Sequence, residues 1–216
     1  MLIRLLLVAA LAAASVLPSC QLIQDSVRGT SPMNALSESA LAIVGVEPRL
    51  SSSATSLAAD LVLALEPQGA LPSTMGATLD DGLRRFNDSI DELRWRRNKL
   101  KKLGSKVVDN WSEQTAFLPP GHPWRDLGSA SANLAELQQT LMELDALLVE
   151  TETSMSTAAA ALVAPIAILA EDISDEQVNA QRASLEAGLS ILTDLPEQLA
   201  ADAKRLREFA ESLTSE

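Results

Sequence analysis

Three long stretches of this sequence repeat apolar residues in alternating steps of three and four positions. That spacing is the heptad pattern of packed α-helices, and it does not fit the strict alternation of a β-strand. The stretches run from about Thr78 to Gln114, from Trp124 to Glu171, and from Ser174 to the C-terminus. The first follows Leu79, Leu83, Phe86, Ile90, Leu93, Leu100, Val107 and Trp111, with Arg97 and Gly104 at the two remaining seam positions.

Composition favours the same fold class. Aromatic residues make up only 3% of the chain, and Tyr is absent. A β-sandwich is rich in aromatic and β-branched residues, whereas Ala and Leu favour helices. Because short corners connect the long stretches, neighbouring helices must run antiparallel. We therefore predict an all-α fold, an elongated antiparallel three-helix coiled-coil-like bundle with short N-terminal helices packed on one end or side.

The chain from residue 20 onward divides into three parts, the last of which is this bundle. Residues 20–31 form a tether, residues 32–76 hold short helices and a loop, and residues 77–216 form the long-helix bundle. Ser31 and Pro32 are suited to begin a first helix, which Glu47-Pro48 should end. Pro165 predicts a kink in the second long helix. Pro196 either kinks or breaks the third, and the pattern leaves both alternatives open.

The first nineteen residues are typical of an export signal. A short start with the basic Arg4 precedes an apolar run from Leu5 to Val16, and the small Ser19 follows. These are the physical parts of a secretory signal peptide. The run is too short for a membrane-spanning helix, which needs about 20 apolar residues.

The segment Leu17-Pro18-Ser19-Cys20 resembles the lipobox of bacterial lipoproteins, and Cys20 is the only cysteine in the chain. The resemblance implies that residues 1–19 are removed and that the Cys20 thiol carries the lipid anchor. Gln21, where an Asp tends to retain such proteins at the inner membrane, implies the outer membrane, facing the periplasm. The alternatives are a signal peptide cut elsewhere and an uncleaved N-terminal anchor, with Cys20 incidental.

Other segments resemble a family of predicted bacterial lipoproteins with a helical, coiled-coil domain of unknown function. The family carries a Val-Gly-aliphatic-x-x-Arg stretch at the end of a short helix, which matches residues 44–49 here. Asn110-Trp111 matches a Trp that closes the second segment, and Met155 to Phe209 is similar in its apolar positions. The resemblance implies a fold and a lipid anchor, and it implies no activity.

Charge is distributed unevenly along the chain. The net charge of −12 argues against nucleic acid as a partner. From Arg84 to Lys106, however, nine basic residues face three acidic ones. The favoured interpretation is that these charges pair with the acidic helices and fix their register. The alternative is a patch for an anionic envelope polymer or an envelope protein, formed by Arg94, Arg96, Lys99, Lys101 and Lys102.

The sequence predicts no catalytic residue, no metal site and no cofactor. Its single His, His122, lies between Gly121 and Pro123, where we expect an exposed turn. The acidic pairs 171–172 and 175–176 lack the spacing of a calcium loop, and Asp175 and Glu176 suit the start of a helix.

The three tryptophans receive different interpretations. Trp111 should lie in the core, Trp124 should anchor the corner, and Trp95 should stack with Arg or contact a partner. The leading hypothesis is a non-enzymatic, acyl-anchored envelope lipoprotein with a helical scaffolding or interaction surface. The alternatives are an envelope enzyme, such as a hydrolase, and a lipid carrier. A homo-oligomer would pair through the Ala-rich faces, above all residues 157–163.

Overall fold

A computed structural model describes residues 31–66, 74–126, 130–171 and 174–214. These residues form helices and their connections without a strand, so the all-α fold class is confirmed for this part of the chain. The signal peptide, Cys20 and the tether up to residue 30 lie outside the described residues. The helices are α1 (Pro32–Val44), α2 (Glu47–Leu65), α3 (Met75–Asp109), α4 (Trp111–Ala116), α5 (Ala130–Glu171) and α6 (Asp175–Thr214), with a 3-10 turn at Pro123–Arg125.

The first helix begins as its sequence predicts. The Ser31 hydroxyl accepts a hydrogen bond from the backbone N–H of Met33 at 3.2 Å, and Pro32 occupies the first turn, where no N–H is needed. The break between α1 and α2 falls at Gly45 and Val46, and both keep right-handed helical backbone angles. The first helix ends at Val44, before Glu47-Pro48 as predicted, and Pro48 lies in the first turn of α2. The two short helices therefore follow one another closely.

The bundle has four sides, formed by α3, by α5, by α6, and by α1 together with α2. Helices on adjacent sides run antiparallel. Arg49 meets Glu92 between α2 and α3, and Gly76 approaches Leu169 between α3 and α5. On the remaining sides α5 packs against α6, and α6 packs against both α1 and α2. Extensive contact between α3 and α6 is absent from the described part, so these helices lie on a diagonal. The three-helix arrangement is not confirmed, because α1 and α2 together form a fourth side instead of capping one end.

The width of the buried stripes explains the fourth side. A helix in a three-helix coiled coil buries mainly its two seam positions per heptad, whereas a broader apolar face can contact two neighbours. On α6 the adjacent pairs Asp202–Ala203 and Phe209–Ala210 are both buried, and on α5 Ala158–Ala159 is buried as well. Because both residues of each adjacent pair are buried, the buried faces of α5 and α6 are broad enough to contact two neighbouring helices each.

Helix boundaries differ from the expectations at two places, and an alternative left open at Pro196 is resolved. Asn110, with φ −116° and ψ 36°, ends α3, so the segment from Trp111 is a separate short helix. The second long helix begins at Ala130 and not at Trp124. Pro196 does not break the last helix. It lies inside α6, which is continuous over its 40 residues from Asp175 to Thr214. At 42 residues, α5 also contains Pro165 and is about 60 Å long.

Candidate functional site

The end of the bundle where the described chain begins, here called the proximal end, gathers three elements. The Ser37 hydroxyl on α1 donates to the backbone carbonyl of Ala210 at 3.1 Å. The indole N–H of Trp124, in the corner before α5, donates to the carbonyl of Ser212 at 3.0 Å. Because Ser31 follows Cys20 by eleven positions, this is also the end nearest the predicted anchor.

The predicted basic patch lies on the α3 surface next to α5, and two of its members are paired across that interface. Arg94 Nε lies 2.6 Å from a carboxylate oxygen of Glu152, and Lys101 Nζ lies 2.7 Å from Asp145. Arg94 also contacts Asp91 on its own helix at 2.6 Å. These contacts support the interpretation that basic α3 and acidic α5 match one another.

Arg96 and Lys99 belong to a different face of the patch. Arg96 pairs with Glu92 at 2.8 Å, and Arg49 from α2 contacts the same carboxylate at 2.7 Å. The hydrogen bond from Arg96 and the charges of both arginines hold the pKa of the Glu92 carboxyl below its ordinary value. Arg96 and Lys99 each lie 5.7 Å from the ring centre of Trp95, which is 60% exposed. Both cations are therefore within cation–π distance of the Trp95 ring, and Arg96 supplies the arginine contact expected there.

Arg97 occupies a seam position, and the structure brings it between two acidic side chains of α5. Its Nη1 lies 2.6 Å from Glu152, and its Nε lies 3.7 Å from Asp145. The Arg97 and Glu152 side chains are only 18% and 13% exposed. A charge pair in a largely apolar seam loses its partner when the register slips, so this pair specifies how α3 and α5 align.

A shallow groove of about 450 Å³ runs beside this pair, between α3 and α5. Leu100, Leu141 and Leu148 supply apolar lining, while Lys101 and Asp145 line it with charge. The two charged groups are already paired with one another. Within the described ranges, no group of three or more His, Cys, Asp or Glu side chains could hold a metal ion.

The environment of His122 differs from the expectation. The exposed turn predicted for it is wrong, because only 4% of His122 is exposed. Gly121, with φ +86°, reverses the chain so that the ring folds back onto the proximal end. Its Nδ1 accepts a hydrogen bond from the backbone N–H of Trp124 at 3.2 Å. Burial lowers the pKa of the imidazole, and the backbone carbonyl of Leu213 partly opposes that effect.

The remaining two tryptophans follow their predictions. Trp111 is 9% exposed and belongs to the core. Its ring meets Trp124 edge to face, with centres 6.0 Å apart and planes at 74°. Together with its indole hydrogen bond to α6, this contact confirms that Trp124 anchors the corner.

Asp202 is the polar group that sequence reasoning missed. It is 3% exposed in the centre of the bundle, where Thr151 of α5 donates a hydrogen bond to its carboxyl at 2.5 Å. Burial raises the pKa of Asp202 to about 6, although the Thr151 hydrogen bond and the charge of Arg205 oppose the shift. The space beside it measures only about 10 Å³, too little for a substrate. A signal existed, because position 202 continues the three-and-four spacing between Leu199 and Leu206.

One helix of the described part, α5, is long and apolar enough to cross a membrane by length and composition alone. Core helices of soluble proteins pass the same test, and α5 packs against both α3 and α6. Comparison of the chain with protein-family models, with curated proteins and with solved structures finds no match for it. The resemblance to the family of predicted lipoproteins therefore stays a hypothesis.

Proposed function

We propose that this chain is a non-enzymatic lipoprotein of the bacterial outer membrane, anchored through Cys20, whose helical bundle offers an interaction or scaffolding surface in the periplasm. The observation that carries the proposal is the placement of the single cysteine. It directly follows a signal-like segment, and the first helix of the described residues begins twelve positions after it, at Pro32. Several acyl chains on one N-terminus hold a protein firmly, whereas one chain binds reversibly.

The length of the tether limits where the bundle can work. The eleven residue steps from Cys20 to Ser31 span at most about 40 Å when fully extended. The proximal end must then stay within that distance of the membrane surface. A protein held in this way meets envelope partners at a high local concentration, which favours a scaffolding role over free diffusion.

The face that we propose for an envelope partner centres on Trp95. Arg94, Arg96 and Lys101 have intramolecular carboxylate partners. Lys99 and the exposed Lys102 supply positive charge on the same helix as Trp95. An exposed aromatic ring with neighbouring cations suits an anionic polymer or an acidic protein segment. The close packing around Asp202 supports a scaffold more than a lipid carrier, which needs a hollow apolar groove.

Mass spectrometry of the N-terminal peptide from the membrane fraction tests the anchor, with Cys20→Ser as the matched control. We expect a diacyl or triacyl mass on Cys20, recovery of the protein with the outer membrane, and loss of both in the control. A soluble protein that is cut elsewhere and is unchanged by Cys20→Ser would refute the lipoprotein assignment.

A second experiment tests the proposed face. Trp95→Ala combined with Lys99→Gln and Lys102→Gln should reduce retention of the protein on isolated cell-wall polymer, while leaving its helical circular dichroism unchanged. Substitution of Lys204, an exposed lysine on α6, by Gln is the control for a general loss of charge. Equal retention of the two variants would contradict a role for the Trp95 face.

A further inference from the structure

The outer face of α5 carries a second, exposed heptad seam, which begins at Met142 beside the groove between α3 and α5. Three bulky apolar residues mark it at intervals of seven and fourteen: Met142 is 68% exposed, Val149 40% and Val163 51%. Small uncharged residues fill the other positions in steps of four and three. The outer seam is Met142, Ala146, Val149, Thr153, Ser156, Ala160, Val163 and Ala167, all exposed except the half-buried Ser156. The inward seam of the same helix is a separate set of buried residues.

Charge divides this helix into two halves. Between residues 130 and 152 it carries five acidic side chains and no basic one, whereas residues 153–170 carry no charge at all. An 18-residue window within α5 accordingly reaches a mean hydropathy of 1.7. A helix with one acidic half and one apolar half packs best on a helix that places its apolar half beside the acidic one and its acidic half beside the apolar one.

A second copy of α5, running antiparallel, has that order. In an antiparallel pair each seam position faces the alternate seam position of the partner, and alignment about the midpoint between residues 154 and 155 brings the two sets together. The bulky residues then each meet a small one: Met142 faces Ala167, Val149 faces Ala160, Val163 faces Ala146, and Thr153 faces Ser156. Apart from the central Thr153–Ser156 pairs, each layer therefore packs a large side chain against a small one, which favours a close helix pair.

A parallel pair fits less well on two counts. It would place Val149 opposite Val149 of the other copy, and Ala160 opposite Ala160. Layers of two large side chains would then alternate with layers of two small ones along the interface. It would also bring Glu143 and Glu150 beside their own copies, where like charges repel. The antiparallel pair places the acidic half of each copy beside the uncharged half of the other.

We propose that two copies of this protein associate through the outer face of α5, antiparallel and centred between residues 154 and 155. The contact spans about three and a half heptads, from Met142 to Ala167, or about 38 Å. That length meets the three to four heptads that a coiled coil needs. The pairing does not depend on the lipid anchor, so it stands or falls separately from the proposed function.

Measurement of the oligomeric state tests the face. The full chain with Cys20→Ser, which carries no lipid, is purified in mild detergent and its mass is measured by sedimentation. We expect a dimer for this parent and for Ala187→Glu, a matched substitution at an exposed site on α6. Ala160→Glu should be monomeric with unchanged helical circular dichroism. A monomeric parent, or a dimer that Ala160→Glu leaves intact, would overturn the proposal.

Cysteine cross-linking tests the direction. In the Cys20→Ser chain, Val149→Cys and Ala160→Cys are made separately, then oxidised alone and as a mixture. The antiparallel alignment separates each position from its own copy by about 16 Å along the helix. A disulfide needs Cα atoms within about 7 Å, so only the mixture should cross-link, between unlike chains. Cross-linking of either variant with itself would refute the alignment.

Binding to vesicles of phosphatidylglycerol and phosphatidylcholine tests the alternative that this face of α5 binds a lipid surface. The parent should bind them no more strongly than Ala160→Glu does, since an acidic half-helix is repelled by anionic headgroups. Vesicle binding by a monomeric parent that Ala160→Glu abolishes would assign the face to lipid and overturn the pairing.

Discussion

The buried carboxyl of Asp202 predicts that this bundle loses stability as the pH rises. The pKa of an ordinary aspartate is 3.8, and burial raises that of Asp202 to about 6 in the folded protein. Well below pH 3.8 the group is protonated in both states and has little effect on the folding equilibrium. As the pH rises, the unfolded chain loses its proton first, so the folded state is progressively disfavoured until the pH passes about 6. The difference in pKa corresponds to about 3 kcal/mol as an upper value.

Asp202→Asn isolates this effect because the amide oxygen can still accept the hydrogen bond from Thr151. We expect the variant to exceed the wild type in free energy of unfolding by up to about 3 kcal/mol at pH 8, and by much less at pH 4. Urea titrations followed by circular dichroism at pH 4, 5, 6, 7 and 8 measure both proteins. Asp194→Asn, at an exposed site on the same helix, is the matched control.

The pH dependence decides whether the reasoning holds. A constant difference between Asp202→Asn and the wild type from pH 4 to pH 8 would show that the carboxyl does not titrate between these values. If the wild-type protein instead gains stability relative to the variant as the pH rises, the ionised Asp202 must have a favourable charged partner. That outcome would refute burial as the dominant cause of its raised pKa.

Three further changes test the packing, each by urea unfolding. Gly76→Ala should cost about 1–3 kcal/mol because a Cβ there would lie 2.2 Å from a backbone carbonyl oxygen of α5; Gly45→Ala, with only ordinary contacts at 3.5 Å, should be neutral or stabilising, and equal effects would contradict the close approach. Arg97→Leu should destabilise by about 1–3 kcal/mol because Glu152 then keeps Arg94 alone as its cation, while adding Glu152→Leu should recover part of the loss; additive costs would refute the coupling. Pro196→Ala should raise the free energy of unfolding by about 1 kcal/mol or more since it restores a helical hydrogen bond, and a loss would mean that the α6 backbone needs the proline.

The heptad spacing predicted which faces of the long helices are buried. Leu79, Phe86, Leu93 and Leu100 are all almost fully buried at their predicted seam positions. The spacing did not predict how many helices meet, because an apolar stripe marks a buried face without naming its partner. Two neighbouring buried positions per turn, as at Phe209 and Ala210, distinguish a four-sided core from a three-sided one.

The polar sites were harder to predict, because their environment depends on contacts that are distant in sequence. His122 looked exposed since prolines and a glycine surround it, yet Gly121 turns its ring against α6. The ion pairs of Arg94 and Lys101 follow from the opposite charges of the two helices, but their register needed the structure. The three-and-four spacing places Asp202 on the buried face, but the sequence does not reveal its hydrogen-bond partner, Thr151 of α5.

The first and last helices of the bundle are neighbours, and Ser37 of α1 is hydrogen-bonded to the carbonyl of Ala210 in α6. The order of the helices along the chain can therefore be changed without changing which helices touch. A circular permutant that joins residue 214 to residue 31 by a short glycine-rich linker, and begins at residue 74, would keep every antiparallel pair of the fold. Such a chain would carry its new terminus at the opposite end of the rod, and a lipid attached there would hold the bundle upside down.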